Sequence, residues 1–412
     1  MELFFNVVST EKVLEIVQSF GPLEPETIVL DDALDRVLAE PVTSPEDLPP
    51  FPRSTVDGYA VRARDTFGGS EQMPALLHIA GDIGMAEEAE FELGPGEAAR
   101  IPTGGMLPRG ADAVVMAEYS HALDGQTIEI SKSLTPWENV IQPGEDVALG
   151  QTVIGKGAVL RAQELGLLAG LGIRNVPVFR RPRVAILSTG DELVSPGETP
   201  GAGQVRDINS VTLAALSRQA GALVFDLGLV RDDFEALKCK TTEGLESADM
   251  LLISGGSSVG ARDFTLSVFR SLPDSEILVH GVSISPGKPT ILARTGAKSV
   301  WGIPGHVASA MVVFMVFIRP MLNVLSGKPT TDDGPFGRIS ARLSRNLASA
   351  QGRDDFIRVR LARESDGWVA IPVLGKSGLI STLVEADGLV RIDRNTEGLY
   401  EGDEVQVLNL RH

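Results

Sequence analysis

Cysteine is almost missing from this 412-residue sequence, where Cys239 stands alone. No intramolecular disulfide can form and no cysteine cluster can hold a metal, which suits a reducing cytosol. Histidine is also scarce, and five of them argue against a zinc site of the usual spacing. Positive charge is short: 37 Lys and Arg face 55 Asp and Glu, for a net charge of −18. That balance argues against nucleic acid and anionic membrane as partners, since both need a basic footprint. The longest apolar run, Val307 to Ile318, falls short of the roughly 20 residues of a membrane span and reads as a buried core helix. The first residues, Met1-Glu2-Leu3-Phe4-Phe5-Asn6, lack a basic stretch followed by an apolar one, so no signal peptide and a cytoplasmic location are expected. No Walker motif, nucleophile elbow, Ser-His-Asp order, repeat or low-complexity tract stands out.

Hydrophobic residues make up 43% of the chain, enough for large cores, and the 44 Gly and 25 Pro point to many turns. The length allows two to four domains. Ser9-Thr10 can cap a helix through Phe20, and Asp31-Asp32 a second, short one with Leu34, Val37 and Leu38. Pro41 to Pro52 holds five prolines and reads as a linker or hinge. From Ser54 the pattern becomes short strands: Tyr59–Arg62, Ala75–Ala80, Ala113–Met116 and Thr127–Ile130. A helix is expected over Arg161 to Leu171, packing back on the N-terminal helices, so the β-rich segment reads as an insertion into an elongated first domain.

From Arg181 to Leu325 strand and helix alternate. The strands Val184–Leu187 and Met250–Ile253 are apolar throughout and end in small polar residues. Strands buried on both faces of a parallel sheet read this way, and ligands bind outside their carboxyl ends. Asp232-Asp233 is placed to cap a helix from Phe234 to about Leu245. After Ser326-Gly327-Lys328-Pro329 the helical signal stops and alternating strands return. The expected domains are 1–53 plus 147–178, 54–146, 179–328 and 329–412.

A net negative charge leaves any anionic ligand to backbone N–H nests, a few cations or a bridging metal. Ser254-Gly255-Gly256-Ser257-Ser258-Val259-Gly260 can present several N–H groups, or be an ordinary loop after a strand. Glu192, Asp232 and Asp263 all follow strands of one sheet. Such carboxylates could hold magnesium, which bridges to phosphate, although Asp232 and Asp263 could equally be helix caps. Lys288 in Pro286-Gly287-Lys288-Pro289 offers a point charge for an oxyanion or is a surface lysine. His306, between the last strand and the long helix, is a base, a ligand or a plain loop residue. Asp57 and Asp146, read alone, are turn residues.

Taken together these loops resemble the molybdopterin molybdenumtransferase family, the MoeA proteins and the gephyrin E domain. The likeness rests on Val56-Asp57-Gly58-Tyr59-Ala60-Val61, Thr103-Gly104, Leu107-Pro108-Arg109-Gly110-Ala111-Asp112-Ala113-Val114-Val115, Gly144-Glu145-Asp146, Ser188-Thr189-Gly190-Asp191-Glu192-Leu193, Ser254-Gly255-Gly256 with Val259-Gly260 and Asp263, and Pro286-Gly287-Lys288-Pro289, in the family's order. The resemblance implies a multidomain α/β plus β fold. A central doubly wound, mostly parallel α/β domain would carry an inserted β-rich domain, an elongated N-terminal linker domain and a C-terminal β-barrel-like domain. It implies a homodimer that inserts molybdate into the dithiolene of adenylylated molybdopterin, releasing AMP with magnesium, and an upstream partner, a molybdopterin adenylyltransferase. Catalytic residues would be Asp57, Thr103, Asp146, Glu192, Asp232 and Asp263, the last three also serving the metal, with the first three from the facing subunit. Thr189, Gly190, Ser254, Gly255, Gly256, Ser257, Gly260 and Lys288 would bind the substrate.

The sequence departs from the family at the oxyanion end. Asn139-Val140-Ile141-Gln142-Pro143 lacks an Arg before Gly-Glu-Asp, Ser285 replaces a Lys, and Pro-Gly-Asn-Pro is Pro304-Gly305-His306-Val307. A usual Glu is Ala261, followed by Arg262. A paralogue using tungstate, or a scaffold of the same fold, are the competing expectations.

Overall fold

A computed structural model of the protein describes residues 7–255, 259–329 and 337–410, with only the backbone described over 259–263. Two compact units emerge: one holds the chain up to Thr27, Asp35–Ala39 and everything from Pro177 onward, the other Ile28–Leu34 and Glu40–Val176.

The first unit is built on a six-stranded sheet in the order Leu223–Val230, Arg183–Thr189, Met250–Gly255, Lys298–Ile303, Ile291–Thr295, Ser275–His280. The first four strands are parallel, and Ile291–Thr295 runs antiparallel to both its neighbours, Lys298–Ile303 and Ser275–His280. Alternate residues of the central strands enter two separate cores. Val184, Ile186, Met250, Leu252 and Trp301 join one, with helix Asn209–Gln219 and the chain from Val307 to Leu325. Ala185, Leu187, Leu251, Ile253 and Val300 join the other, with helices Phe234–Ser247 and Val259–Ser271. Helices therefore cover both faces, and strands buried on both sides have no room for polar alternation. Val307–Leu325 runs as helix, a π turn over Phe314–Ile318, and helix again. Its length and composition would suffice for a membrane span, but 78% of its apolar window is buried in this unit's own core. Phe317 stacks on Trp301 with ring centroids 6.4 Å apart.

The C-terminal strands close into a five-stranded barrel. Arg338–Leu343, Asp354–Glu364, Gly367–Pro372, Gly388–Ile392 and Glu404–Asn409 form it, sealed by the pairing of Asp355–Val359 with Gly388–Ile392. Leu343, Val359, Ala370, Val390 and Val407 fill it. Beyond the α/β sheet, the short strand Ile284–Ser285 pairs in parallel with Asp354–Asp355 of the barrel. Helix Thr10–Gln18 opens where expected, with Ser9 Oγ accepting from Lys12 N and with Val13 and Val17 in the α/β core.

The second unit holds a sheet in the order Ala113–Met116, Gly58–Val61, Glu97–Ile101, Ala75–Asp82, Thr127–Ile130, Ser120–Ala122. The sequence reading misses Glu97–Ile101, because its two alanines are weak strand formers.

Two local expectations are corrected. The helix expected from Asp31 is a single 3-10 turn, Leu30–Asp32, after which Asp35 takes a left-handed φ of 62° and Leu38 bridges Val178. The Pro41–Pro52 linker is paired backbone: Val42–Thr43 joins Thr152–Ile154 and Leu48 bridges Val147. Prolines tolerate such ribbons because edge positions need no N–H there.

Candidate functional site

The parallel register brings the strand ends level. Thr189 lies opposite both Gly255 and Val230, and Ile303 opposite Ser254. Thr189 Oγ1 donates to Asp232 Oδ1 at 2.8 Å. Asp232 is available for this because its neighbour takes the capping role: Asp233 Oδ1 accepts from Ala236 N at 2.9 Å. The capping expectation therefore holds for Asp233 and not for Asp232. Gly255 has φ +141°, and a Cβ there would stand 1.9 Å from the Thr189 carbonyl oxygen. The two strand ends approach so closely that only glycine fits. A Cβ on Gly190 would meet Glu192 Oε2 at 2.8 Å, so the exposed Glu192 carboxylate lies over a bare backbone.

Asn209 ties this edge together and was not singled out by sequence. Its Nδ2 donates to Ser254 Oγ at 2.7 Å and to the Gly305 carbonyl at 2.8 Å. One amide thereby joins the start of helix Asn209–Gln219, the end of strand Met250–Gly255 and the Gly305 loop. Its buried Oδ1 has no hydrogen-bond partner among the described residues. Its only sequence signal is its place at the start of a helix that follows a loop rich in glycine.

Two cavities open at this edge. One, of about 430 Å³, is lined by Gly255, Thr265, Pro289, Pro304, His306 and Ser309 among others. The second, of about 530 Å³, includes Ser285, Lys288, Pro289, Ser309, Arg353 and Ser377 in its lining. Pro289 and Ser309 border both. The second cavity exists because Ile284–Ser285 adds to the barrel, which carries the Pro286–Pro289 turn to the barrel's Arg353. Arg353 pairs with the buried Asp355 at 3.0 Å, and Ser349 Oγ donates to the same carboxylate at 2.7 Å. His306 Nδ1 lies 2.9 Å from Ser377 Oγ, and Ala308 N donates to the Ser377 carbonyl. Ser309, Arg353 and Ser377 escaped sequence reading because they come from segments far from the Pro286–Pro289 turn.

In the other unit Asp57 and Thr103 meet. Asp57 Oδ1 accepts from Thr103 N at 2.7 Å and from Thr103 Oγ1 at 3.0 Å. These bonds, the backbone one first, hold the Asp57 carboxyl below the usual aspartate range. Asp146 is exposed, its N–H bound to the Leu48 carbonyl. Gly256 and Ser257 lie outside the described residues, as do the side chains of Asp263 and Arg262. Gly260 sits in the first turn of helix Val259–Ser271.

Among the described residues no three His, Cys, Asp or Glu side chains gather as a metal cage. Glu192 and Asp232 supply hard oxygen donors of the kind magnesium takes. Magnesium is commonly held by one or two carboxylates together with substrate phosphates, so this pair fits such a shared site.

A doubly wound sheet with polar loops and cavities at its carboxyl edge defines an α/β protein of the class whose ligands bind at the strand ends. Family models sharpen that class. "MoeA N-terminal region (domain I and II)" matches residues 8–172, "Probable molybdopterin binding domain" 185–324 and "MoeA C-terminal region (domain IV)" 340–410. A putative molybdopterin biosynthesis protein of Methanocaldococcus jannaschii is 37% identical, the match covering 97% of this chain and 96% of that one. Molybdopterin molybdenumtransferase 2 of Mycobacterium tuberculosis is 36% identical over 96% and 97%. A crystal structure of a molybdopterin biosynthesis MoeA protein from Pyrococcus horikoshii superposes with a TM-score of 0.85 at 39% identity, covering 99% of this chain and 100% of that chain. The chain belongs to the MoeA family of molybdopterin molybdenumtransferases and is, by that membership, a transferase.

Proposed function

We propose that this protein transfers molybdenum from molybdate to the dithiolene of adenylylated molybdopterin, with AMP leaving. The observation that carries this reading is the pair of adjoining cavities, which share Pro289 and Ser309 as a common wall. The cavity with Lys288, Arg353, Ser285 and Ser377 has the cations and hydroxyls that suit a tetrahedral oxyanion. The neighbouring cavity reaches Gly255 at the strand ends, where a phosphate-bearing substrate is expected. Arg353 also brings a guanidinium, already paired with Asp355, to the cavity that lacks a cation at Ser285.

Asp232, oriented by Thr189, and Glu192 are the carboxylates we assign to magnesium. The cation would supply charge neutralisation at the substrate's phosphates. The reading extends to a homodimer in which the Asp57–Thr103 pair and Asp146 of a second copy serve the reaction, and to a molybdopterin adenylyltransferase as the supplier of substrate.

Anaerobic incubation with adenylylated molybdopterin, molybdate and magnesium tests the proposal. AMP should appear only when molybdate is present, and Lys288→Ala and Asp232→Ala should each reduce it strongly. Wild-type release no greater than in both variants would sink it.

A further inference from the structure

A third cavity, of about 140 Å³, shares no lining residue with the two described above. It lies where helix Thr10–Gln18, the Val307–Leu325 helix and the C-terminal barrel meet. Leu14, Met315, Phe356 and Leu408 give it an apolar wall. Arg319, Arg338 and Arg391 bring three guanidinium groups to a chain with net charge −18.

Arg391 and Arg319 differ in their surroundings. Arg391 is matched by acid: it pairs with Glu11, with Asp354 at 3.0 Å and with Asp393 at 4.0 Å. Asp354 is held in turn by Thr10 Oγ1 at 2.6 Å. Arg319 is half-buried and pairs with no carboxylate among the described residues. Burial pushes its guanidinium down to about 10. Its charged neighbour is another cation, Lys328, which burial also pushes down; Asp35 opposes that shift, while Arg319 and Arg181 add to it. A desolvated arginine at a cavity wall, beside a like charge, favours an anion, and a carboxylate matches its planar fork through two parallel bonds.

Size and wall restrict the anion. A dry engineered cavity of roughly 150 Å³ accepts benzene, so this one admits a single ring or a short branched chain. Inorganic phosphate would meet the charge and leave the apolar wall unused. We propose that this cavity binds a small organic monocarboxylate, with its carboxylate on Arg319 and its hydrocarbon body against Leu14, Met315 and Phe356.

Benzoate, titrated into the full-length protein and followed by calorimetry and by the rise in Tm, tests this. Benzamide, of the same shape without the charge, and inorganic phosphate, with charge and no apolar body, serve as contrasts. Benzoate should bind saturably and raise Tm, and each contrast should bind at least about tenfold more weakly. Arg319→Gln should weaken benzoate by about tenfold or more, the loss of a charge-assisted pair. Leu14→Trp, which fills the cavity from its apolar side, should abolish binding, and Lys288→Ala should leave it unchanged. Benzoate that fails to saturate, benzamide binding as tightly, or a folded Arg319→Gln that binds like the wild type would each overturn the proposal. If Arg319→Gln does not fold, the benzoate–benzamide contrast and Leu14→Trp still decide it.

Discussion

Thr189 gives its hydroxyl hydrogen to Asp232 across 2.8 Å, linking the ends of two neighbouring parallel strands. The bond leaves one carboxylate oxygen for a ligand and fixes the direction in which it points. Thr189→Val keeps the side-chain shape and removes the bond. The fold should survive with a loss of about 1 kcal/mol, since one hydrogen bond is removed. AMP release under molybdate should fall further than that loss of stability explains, and its magnesium dependence should shift to higher concentration. Denaturant melts alongside steady-state assays separate the two effects.

Gly255 faces the opposite test, one of space. With φ +141° and the Thr189 carbonyl 1.9 Å from any Cβ, Gly255→Ala must push two central strands apart. Overpacking costs about 1–3 kcal/mol and a strained backbone a similar amount. Urea unfolding should show a drop of several kcal/mol, and Gly221→Ala, with a positive φ and nothing within 4 Å of its added Cβ, a smaller one.

Arg353 and Lys288 line the cavity proposed for the oxyanion, one from the C-terminal barrel region and one from the α/β region. Arg353→Gln should raise the molybdate concentration for half-maximal activity by about tenfold, as expected when a charge-assisted contact is lost. The concentration dependence on adenylylated molybdopterin should move little. An equal shift in both would show that Arg353 acts by supporting the fold.

Asp249 joins Arg180 through two bonds of 2.8 Å and accepts from Arg183 N at 2.8 Å. Burial alone would raise its pKa, but these partners outweigh it and the carboxyl lies below the usual range. A depressed folded-state value means the stabilisation is complete above the unfolded value of about 4 and is lost as pH falls through the folded value. Stability measured by urea from neutral pH down toward about pH 3 should therefore fall more steeply in the wild type than in Asp249→Asn, which lacks the titrating group.

Much of the fold was legible because burial writes itself into strand composition. Val184–Leu187 and Met250–Ile253 read as central strands, and the strands run on into their small polar ends as far as Thr189 and Gly255. Asp233 read as a cap for the same local reason, since its N–H partner is three residues away. Asn209, Arg353 and Ser377 were illegible. Asn209 meets residues 45 and 96 positions away, Arg353 and Ser377 share a cavity with the distant Lys288, and no periodicity or spacing marks such partners. The Pro41–Pro52 segment misled for a related reason: its pairing partners lie near Val147 and Thr152, which local composition does not disclose.

The sequence by itself determined the doubly wound core, the glycine-bearing strand ends and the ordered motifs that mark the MoeA family, because these depend on residue type and near neighbours. Only the tertiary structure decided that Thr189 and not a helix claims Asp232. It also decided that Ile284–Ser285 pairs with the barrel, so that Lys288 and Arg353 line one cavity. Those outcomes depend on which distant backbones meet, and loop closure over tens to hundreds of residues is a property of the packed chain and not of any stretch within it.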